Sequence, residues 1–411
     1  MTPFARYITA STISKAGNGL TEVAFPLVAV LTLGATSLET SLVAASPYFA
    51  WLVIGLPAGT LVSRLPMRAT QVVMDLVRAL VLISIPIAAW FDILTIAQLV
   101  VAGFLISLCS VIYDVANSTF IVSIVPEQEL MRRNSQTSGA FSTAQIAGPP
   151  LGGLLVQLVG AAAALIFDVV SYLVSAVLLA GLARGEQQRK PKGAPMRSQI
   201  AHGIRFVFEL PVLRACTVNV TCINFVCGAQ MGLTPVFLVR SLGGQPWQVG
   251  LIYALEGLGS VLGAMVTLKV AGRVGSTRAL LLAASTFSVA CLLLPAAPVG
   301  TLGLLVFAVG NTVIALTVTV TSVLTRTHRQ TVTPYETLPQ VMATVRFISW
   351  GVIPLGALLA GLVATLTSPR VALLAACVVA VAAPLLLAVS AVRHLTELAD
   401  DPAMPAARGR V

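Results

Sequence analysis

Residues 163–195 read AALIFDVVSYLVSAVLLAGLARGEQQRKPKGAP: an apolar run holding one acid, then a polar, basic tract with two prolines. A helix needs about 20 apolar residues to cross the hydrocarbon core of a bilayer, and the run supplies them. The tract opening at 184 is the only long polar segment between apolar runs. Working outward, similar runs bounded by turn and charge signals fall near 7–33, 40–63, 70–90, 94–118 and 139–160. Beyond the tract they fall near 213–239, 247–270, 278–297, 300–324, 344–366 and 371–392. This spacing predicts an all-α membrane protein: a six-helix bundle over 1–183, a cytoplasmic linker over 184–211, a second six-helix bundle over 212–393 and a tail over 394–411. Composition agrees, since the 411 residues are 57% hydrophobic and only 10% charged. Soluble chains carry about 25% charged residues, so the composition speaks against a soluble enzyme or a nucleic-acid-binding module.

The net charge of +10 is explained by where the charge lies. Arg132 and Arg133 and the basic clusters within 184–197, 269–278, 326–329 and 393–410 fall on alternate loops, whereas the intervening loops hold little besides Arg240 and Arg370. Cytoplasmic loops are the basic ones, so both termini and the connector are expected in the cytoplasm. The first twenty residues lack a signal-peptide layout, and the first span is expected to stay attached. The six cysteines all lie in apolar runs without metal-ligand or redox spacing, and read as small packing residues. No phosphate-binding loop is present. Neither a metal nor a cofactor is expected.

The two halves also resemble each other. Pro150-Leu151-Gly152 recurs as Pro354-Leu355-Gly356 at an offset of 204 residues, and Gly59 matches Gly263 at the same offset. Parallel six-helix repeats are one transporter architecture.

Four segments carry a family resemblance: GTLVSRLPMR (59–68), GPPLGG (148–153), RFVFELPVLR (205–214) and ATVRFISWGVIPLGALLAG (343–361). With these the chain resembles the major facilitator superfamily, and within it the drug and metabolite exporters that include macrolide and siderophore efflux proteins. The resemblance implies twelve transmembrane helices as two pseudo-symmetric bundles that rock about a midplane cavity. It implies gating roles for Gly59, Ser63, Arg64 and Arg68 in the loop 2–3 motif, where Ser63 replaces the acid usual in the family. Asp75 and Arg78, one turn apart, are expected to take over part of that pairing. It also implies that Gly148, Pro149, Pro150, Gly152 and Gly153 form the antiporter motif. Physically, prolines bend a helix and glycines admit a neighbouring backbone.

Ionisable groups at membrane depth are costly and usually face a partner or water. Glu22, Asp114 and Glu256 fall on spans one, four and eight, which line the cavity in the resembling fold, and are the candidates for proton or cation coupling. Burial disfavours the carboxylate while a nearby cation favours it, so one site can exchange a proton for a cationic substrate. The duller alternatives are pairing of Glu22 with Lys15 and a capping role for Asp114. Asp168 is expected to be hydrogen-bonded in a peripheral span, and Asp75 with Arg78 to form an ion pair. His202, His328 and His394 fall outside the expected spans, which speaks against a histidine relay. Asn18, Asn219, Asn224, Gln230 and Asn311 are candidate cavity polar groups, with interhelical hydrogen bonding as their alternative. Tyr48, Trp51, Tyr113 and Trp350 are candidate cavity aromatics.

The reading is therefore a non-enzymatic secondary transporter that exports lipophilic, often cationic small molecules, antibiotics or secondary metabolites, by proton antiport. Its expected partners are a small-molecule substrate, protons and the lipid bilayer, with no nucleic acid, and a monomer is the expected state. The expected location is a bacterial inner membrane. The alternative is an uptake permease for a nutrient or siderophore, and a more remote one is a lipid-modifying enzyme or scaffold.

Overall fold

The computed structural model describes residues 2–55, 57–62, 65–126, 129–182, 196–334, 337–395, 397 and 398. These residues are almost wholly helical. In chain order the helices are α1 (Pro3–Leu27), α2 (Ser37–Ile54), the short α3 (Ala58–Val62), α4 (Met67–Trp90), α5 (Ile96–Ile124), α6 (Leu130–Val159), α7 (Ala161–Ala180) and α8 (Met196–Glu209). They continue with α9 (Pro211–Val236), α10 (Pro246–Val274), α11 (Ser276–Ala296), α12 (Thr301–Val332), α13 (Leu338–Gly351), α14 (Ile353–Leu366) and α15 (Pro369–Ala388). Ten helical stretches among the described residues are long and apolar enough to cross a membrane. α1 and α6 are as long but more polar. With α2–α3 and α13–α14 each counted as one span and α8 lying in the linker, the expected twelve segments are accounted for.

Local chemistry sets the helix starts. The Thr2 hydroxyl accepts from the Ala5 N–H, Thr36 and Glu39 form a reciprocal capping box, and the Ser368 hydroxyl caps α15. Each satisfies an N–H that has no partner within its helix. Two helices outrun their apolar segments: α6 starts at Leu130 rather than near 139, and α12 ends at Val332 rather than near 324. Neither extension contains proline, and 130–138 has no glycine, so an established helix propagates beyond the apolar limit at little cost. His328 consequently lies on α12 and is buried, a correction to its expected place outside the spans.

Proline has unlike effects in the two related spans. α6 runs unbroken through Pro149 and Pro150. The corresponding later segment ends α13 at Gly351 and restarts as α14, with Pro354 in the first turn, where its missing N–H costs nothing.

The chain divides into two compact units: Met1–Pro191 with Thr234–Ala254, and Lys192–Leu233 with Leu255–Val411. In the first, α1 packs on α6 and α7, α4 packs on α5 and α7, and α2 packs on α5. Its apolar core includes Tyr7, Tyr113, Phe120 and Leu179. In the second, α11 packs on α12 and α15, α14 on α15, and α13 on α8. Its core gathers Cys216, Leu280, Ala284, Leu324 and Leu387. Span one and span seven both end in a π-helical turn, Val28–Thr32 and Phe237–Ser241, and each turn is followed by a glycine with positive φ (Gly34 at 63°, Gly243 at 75°). Glycine reaches that conformation without a Cβ penalty.

Candidate functional site

α1 carries much of the polar chemistry of the first unit. Lys15 donates to Asp114 of α5 at 2.9 Å, with the two side chains 32% and 43% exposed. Lys15 thus bonds Asp114, and Glu22 is exposed two turns further along α1. In the second unit, Glu256 on α10 is half-buried and accepts a hydrogen bond from Asn311 Nδ2 at 3.1 Å. Asp114 and Glu256 thus each have a named partner on another helix.

A second polar system fills the interior of the first unit. Asp75 and Arg78, one turn apart on α4, form an ion pair in which both side chains are essentially inaccessible. The Arg78 guanidinium lies 4.4 Å from the ring centroids of both Tyr113 (α5) and Tyr172 (α7), and it donates to Ser110 Oγ at 3.3 Å. A planar cation between two aromatic faces is favoured electrostatically by each ring. Tyr172 Oη donates to Asn18 Oδ1 at 2.6 Å. Asp168 of α7 is fully buried, accepting from Thr21 Oγ1 at 2.5 Å and lying 2.6 Å from Ser171 Oγ. Further along the same seam, Ser11 donates to Asn117 Oδ1 at 3.1 Å and Tyr7 to the Asn117 carbonyl at 3.2 Å. Sequence reasoning located the Asp75–Arg78 pair and the hydrogen bonding of Asp168, but it did not join them. The available signal was Ser, Asn and Thr recurring every three or four residues on span one (Ser11, Ser14, Asn18, Thr21), opposite an acid on span six.

The remaining candidates are dispersed. Tyr113 is enclosed against Arg78. Asn219 is buried and donates to the Ala383 carbonyl at 3.1 Å, and Asn224 donates to the Ser349 carbonyl at 2.8 Å. Gln230 contacts Cys291 Sγ at 3.5 Å, and Trp350 stacks against the Arg346 guanidinium at 4.2 Å. Tyr48 and Trp51 are half-buried on α2. Gly59 lies in α3, whereas Ser63 and Arg64 fall outside the described residues. Arg68 donates to the Ala180 and Leu182 carbonyls, and Arg6 to that of Gly181. Two cations thereby bond carbonyls at and just beyond the C-terminal end of α7, the end of a helix that favours positive charge.

The GPPLGG glycines meet backbone directly. A Cβ on Gly148 would lie 2.9 Å from the Ala16 carbonyl oxygen, one on Gly152 2.7 Å from that of Leu20, and one on Gly153 2.6 Å from that of Pro246. α1 and α6 thus pack backbone against backbone, with no room for a side chain between them. In the second unit Gly228 and Gly356 bring α9 and α14 into the same kind of backbone contact, at Ile353 and Phe225 respectively. The repeated Pro-Leu-Gly therefore marks the same type of seam in each unit.

Comparison with known proteins agrees with this architecture. The chain is 27% identical over 281 residues to the multidrug efflux pump Tap of Mycolicibacterium fortuitum, covering 64% of this chain and 66% of that protein, slightly under two thirds of the relative's length. It is 28% identical over 288 residues to the multidrug efflux pump Tap of Mycobacterium tuberculosis, covering 66% of this chain and 67% of the relative. Among solved structures, a single-residue mutant of the nucleoside transporter NupG superposes with a TM-score of 0.80 at 10% identity, covering 94% of this chain and 99% of that one, a likeness of fold. The family model of the Major Facilitator Superfamily matches residues 8–335. With most of its length under that match and its helices in that fold, the chain belongs to the Major Facilitator Superfamily of transporters.

Proposed function

We propose that this transporter exports lipophilic, frequently cationic small molecules from a bacterial cell in exchange for protons. The observation that carries the proposal is Glu22, an exposed carboxylate on α1, the first of the expected twelve spans. An acid at that depth is costly unless it meets water or a cation. Asp114, held by Lys15, and Glu256, held by Asn311, complete the acid set. In this reading a cationic substrate competes with protons for these carboxylates, since a cation beside a carboxylate favours its ionised form and so expels the proton. The mycobacterial relatives, which are named as efflux pumps, support the outward direction. Both termini are assigned to the cytoplasm on the basic loops, and the working unit is assigned as a monomer.

Ethidium accumulation in energised cells expressing the protein tests the proposal. Expression is expected to lower accumulation, a protonophore to restore it, and Glu22→Gln to abolish the difference. Protonophore-sensitive net accumulation by expressing cells would instead favour uptake. Full efflux by Glu22→Gln would remove Glu22 from the mechanism.

A further inference from the structure

The interior of the first unit holds a carboxyl group that the proposed acid set does not use. It is one of three acids set against two bases here: Asp75, Asp114 and Asp168 against Arg78 and Lys15. Asp75 pairs with Arg78, and Asp114 pairs with Lys15. Asp168 is the third acid, fully buried, and among the described residues no cation is bonded to it. The groups that face it are Thr21 from α1, the Arg78 guanidinium with its partner Asp75 from α4, and Ser171 and Tyr172 from its own helix. α6, which also packs on α7, carries its charged residues Arg132 and Arg133 at its far, N-terminal end.

Proton counting around Asp168 points the same way as charge counting. Ser171 Oγ lies 2.9 Å from the Asp168 backbone carbonyl and 2.6 Å from Asp168 Oδ1. A hydroxyl has one hydrogen to donate, so it serves only one of these oxygens at a time. When Ser171 bonds the carbonyl, the contact to Oδ1 needs a hydrogen on the carboxyl itself. When Ser171 turns to Oδ1, the carboxylate accepts from Ser171 and from Thr21 together. The Ser171–Asp168 contact therefore has two hydrogen-bonding patterns that differ by one proton, with the Tyr172 hydroxyl also in hydrogen-bonding reach of the carboxyl group. Gly17 of α1 closes over the pair, since a Cβ there would collide with both Asp168 Oδ1 and Ser171 Oγ.

We infer that Asp168 is a proton-carrying residue of this transporter, with Ser171 as the hydroxyl that turns with its protonation state. In the loaded form Oδ1–H donates to Ser171 Oγ, and the Ser171 hydrogen goes to the Asp168 carbonyl. On unloading, the O–H bond of Asp168 breaks and the electron pair stays on the carboxylate. The proton passes to water on the Thr21 side of the carboxyl group, giving hydronium, and Ser171 turns to donate to Oδ1. Because Thr21 and Asn18 tie α1 to Asp168 and Tyr172, movement of α1 against α7 changes the balance between the two patterns. The inference rests on the proton-antiport reading for its role in transport, but not for the protonation itself.

The test is infrared difference spectroscopy on the full chain in lipid nanodiscs, titrated from acid to alkaline pH with a deuterium-exchange control. The expected result is a protonated-carboxyl C=O band that Asp168→Asn removes and Asp75→Asn leaves in place. Ser171→Ala is expected to retain that band at a shifted frequency, because the protonated carboxyl loses the hydroxyl that accepts from it; the same change also removes the donor to Oδ1 in the unloaded form. Asp168→Glu, which keeps a carboxyl, covers the case in which the asparagine variant does not fold, and is expected to shift the band. Superimposable wild-type and Asp168→Asn spectra in the protonated-carboxyl region would overturn the inference, as would an unshifted band in both Asp168→Glu and Ser171→Ala. In parallel, proteoliposomes report ethidium transport driven by a pH gradient and, separately, ethidium counterflow without one. Asp168→Asn is expected to lose the first and keep the second. A wild-type protein indifferent to the gradient would defeat the antiport reading, while the infrared result would still decide the protonation of Asp168.

Discussion

Lys15 Nζ lies 2.9 Å from Asp114 Oδ1, so the acid expected to meet a cationic ligand on span four already holds an internal cation from span one. Any cationic substrate drawn to Asp114 must compete with that ammonium group. Partly exposed pairs are worth about 0.2–1 kcal/mol. Lys15→Met is therefore expected to tighten binding of monovalent cations by up to about fivefold and to leave uncharged compounds unaffected. Ethidium titration followed by fluorescence anisotropy checks this, and equal tightening for a neutral dye would count against it.

Arg78 presents the opposite case, with its charge wholly enclosed beside Asp75 and between two tyrosine rings. Removing one member of a buried pair costs about 3–5 kcal/mol because the other charge is stranded. Arg78→Leu should lower the Tm sharply in detergent, and Arg78→Lys should also lower it, because an ammonium group cannot stack as a guanidinium does. The double variant Asp75→Asn with Arg78→Leu should recover much of the loss in the same thermal assay.

The α1–α6 seam yields a paired comparison on one helix. A Cβ on Gly152 would lie 2.7 Å from the Leu20 carbonyl oxygen, whereas one on Gly139 meets nothing within 4 Å. Gly152→Ala is expected to destabilise by about 1–3 kcal/mol through overpacking against main chain. Gly139→Ala should be neutral or stabilising by about 0.5–1 kcal/mol, the ordinary helix preference for alanine. Thermal melts of the two variants in one detergent check the contrast.

The C-terminal segment supplies a pH dependence outside the membrane helices. Glu397 Oε2 accepts from the Ser276 hydroxyl at 2.6 Å and the Ser276 N–H at 2.9 Å, capping α11 from a distant part of the chain. The Ser276 side-chain bond, followed by the backbone bond, holds the Glu397 carboxyl below the usual glutamate value. A depressed carboxyl stabilises docking above its undocked value of 4.5, and that stabilisation is lost as pH falls through the lower docked value. Protection of the Ser276 and Leu398 amides from hydrogen exchange, taken relative to the intrinsic rate at each pH, should be high at neutral pH and fall on acidification. Glu397→Gln should remove the acid-dependent step.

Much of the architecture was legible because hydropathy and charge act over whole segments. The twelve runs, the basic loops and the Pro-Leu-Gly repeat each depend on composition within a window, and a bilayer imposes length directly. Pairings inside a bundle depend on which face a residue presents once several helices meet. Lys15 and Glu22 sit two turns apart on one helix in the sequence, yet the partner of Lys15 is Asp114 on α5. Asp168 was expected to be hydrogen-bonded, but which helix supplies its hydroxyl partner follows from α7 packing against α1. The duplicated π turns were in principle readable, since VLTLG at 30–34 and VRSLG at 239–243 share their pattern, but their offset differs from that of the Pro-Leu-Gly repeat.

The unlike fates of the prolines in the two related spans make the two copies mechanically unequal. α6 is a single rod of 30 residues, while its counterpart is two pieces of 14 residues meeting around Val352. A torque applied at one end of α6 is carried to the other through an uninterrupted helix. In the counterpart the helical hydrogen bonding is interrupted at Val352, so α13, packed on α8, is expected to turn against α14 more readily than the two ends of α6 turn against each other. Torsional compliance is thus concentrated in one copy of a duplicated fold, and a stiffness measurement along the two spans would distinguish halves that share the same seam.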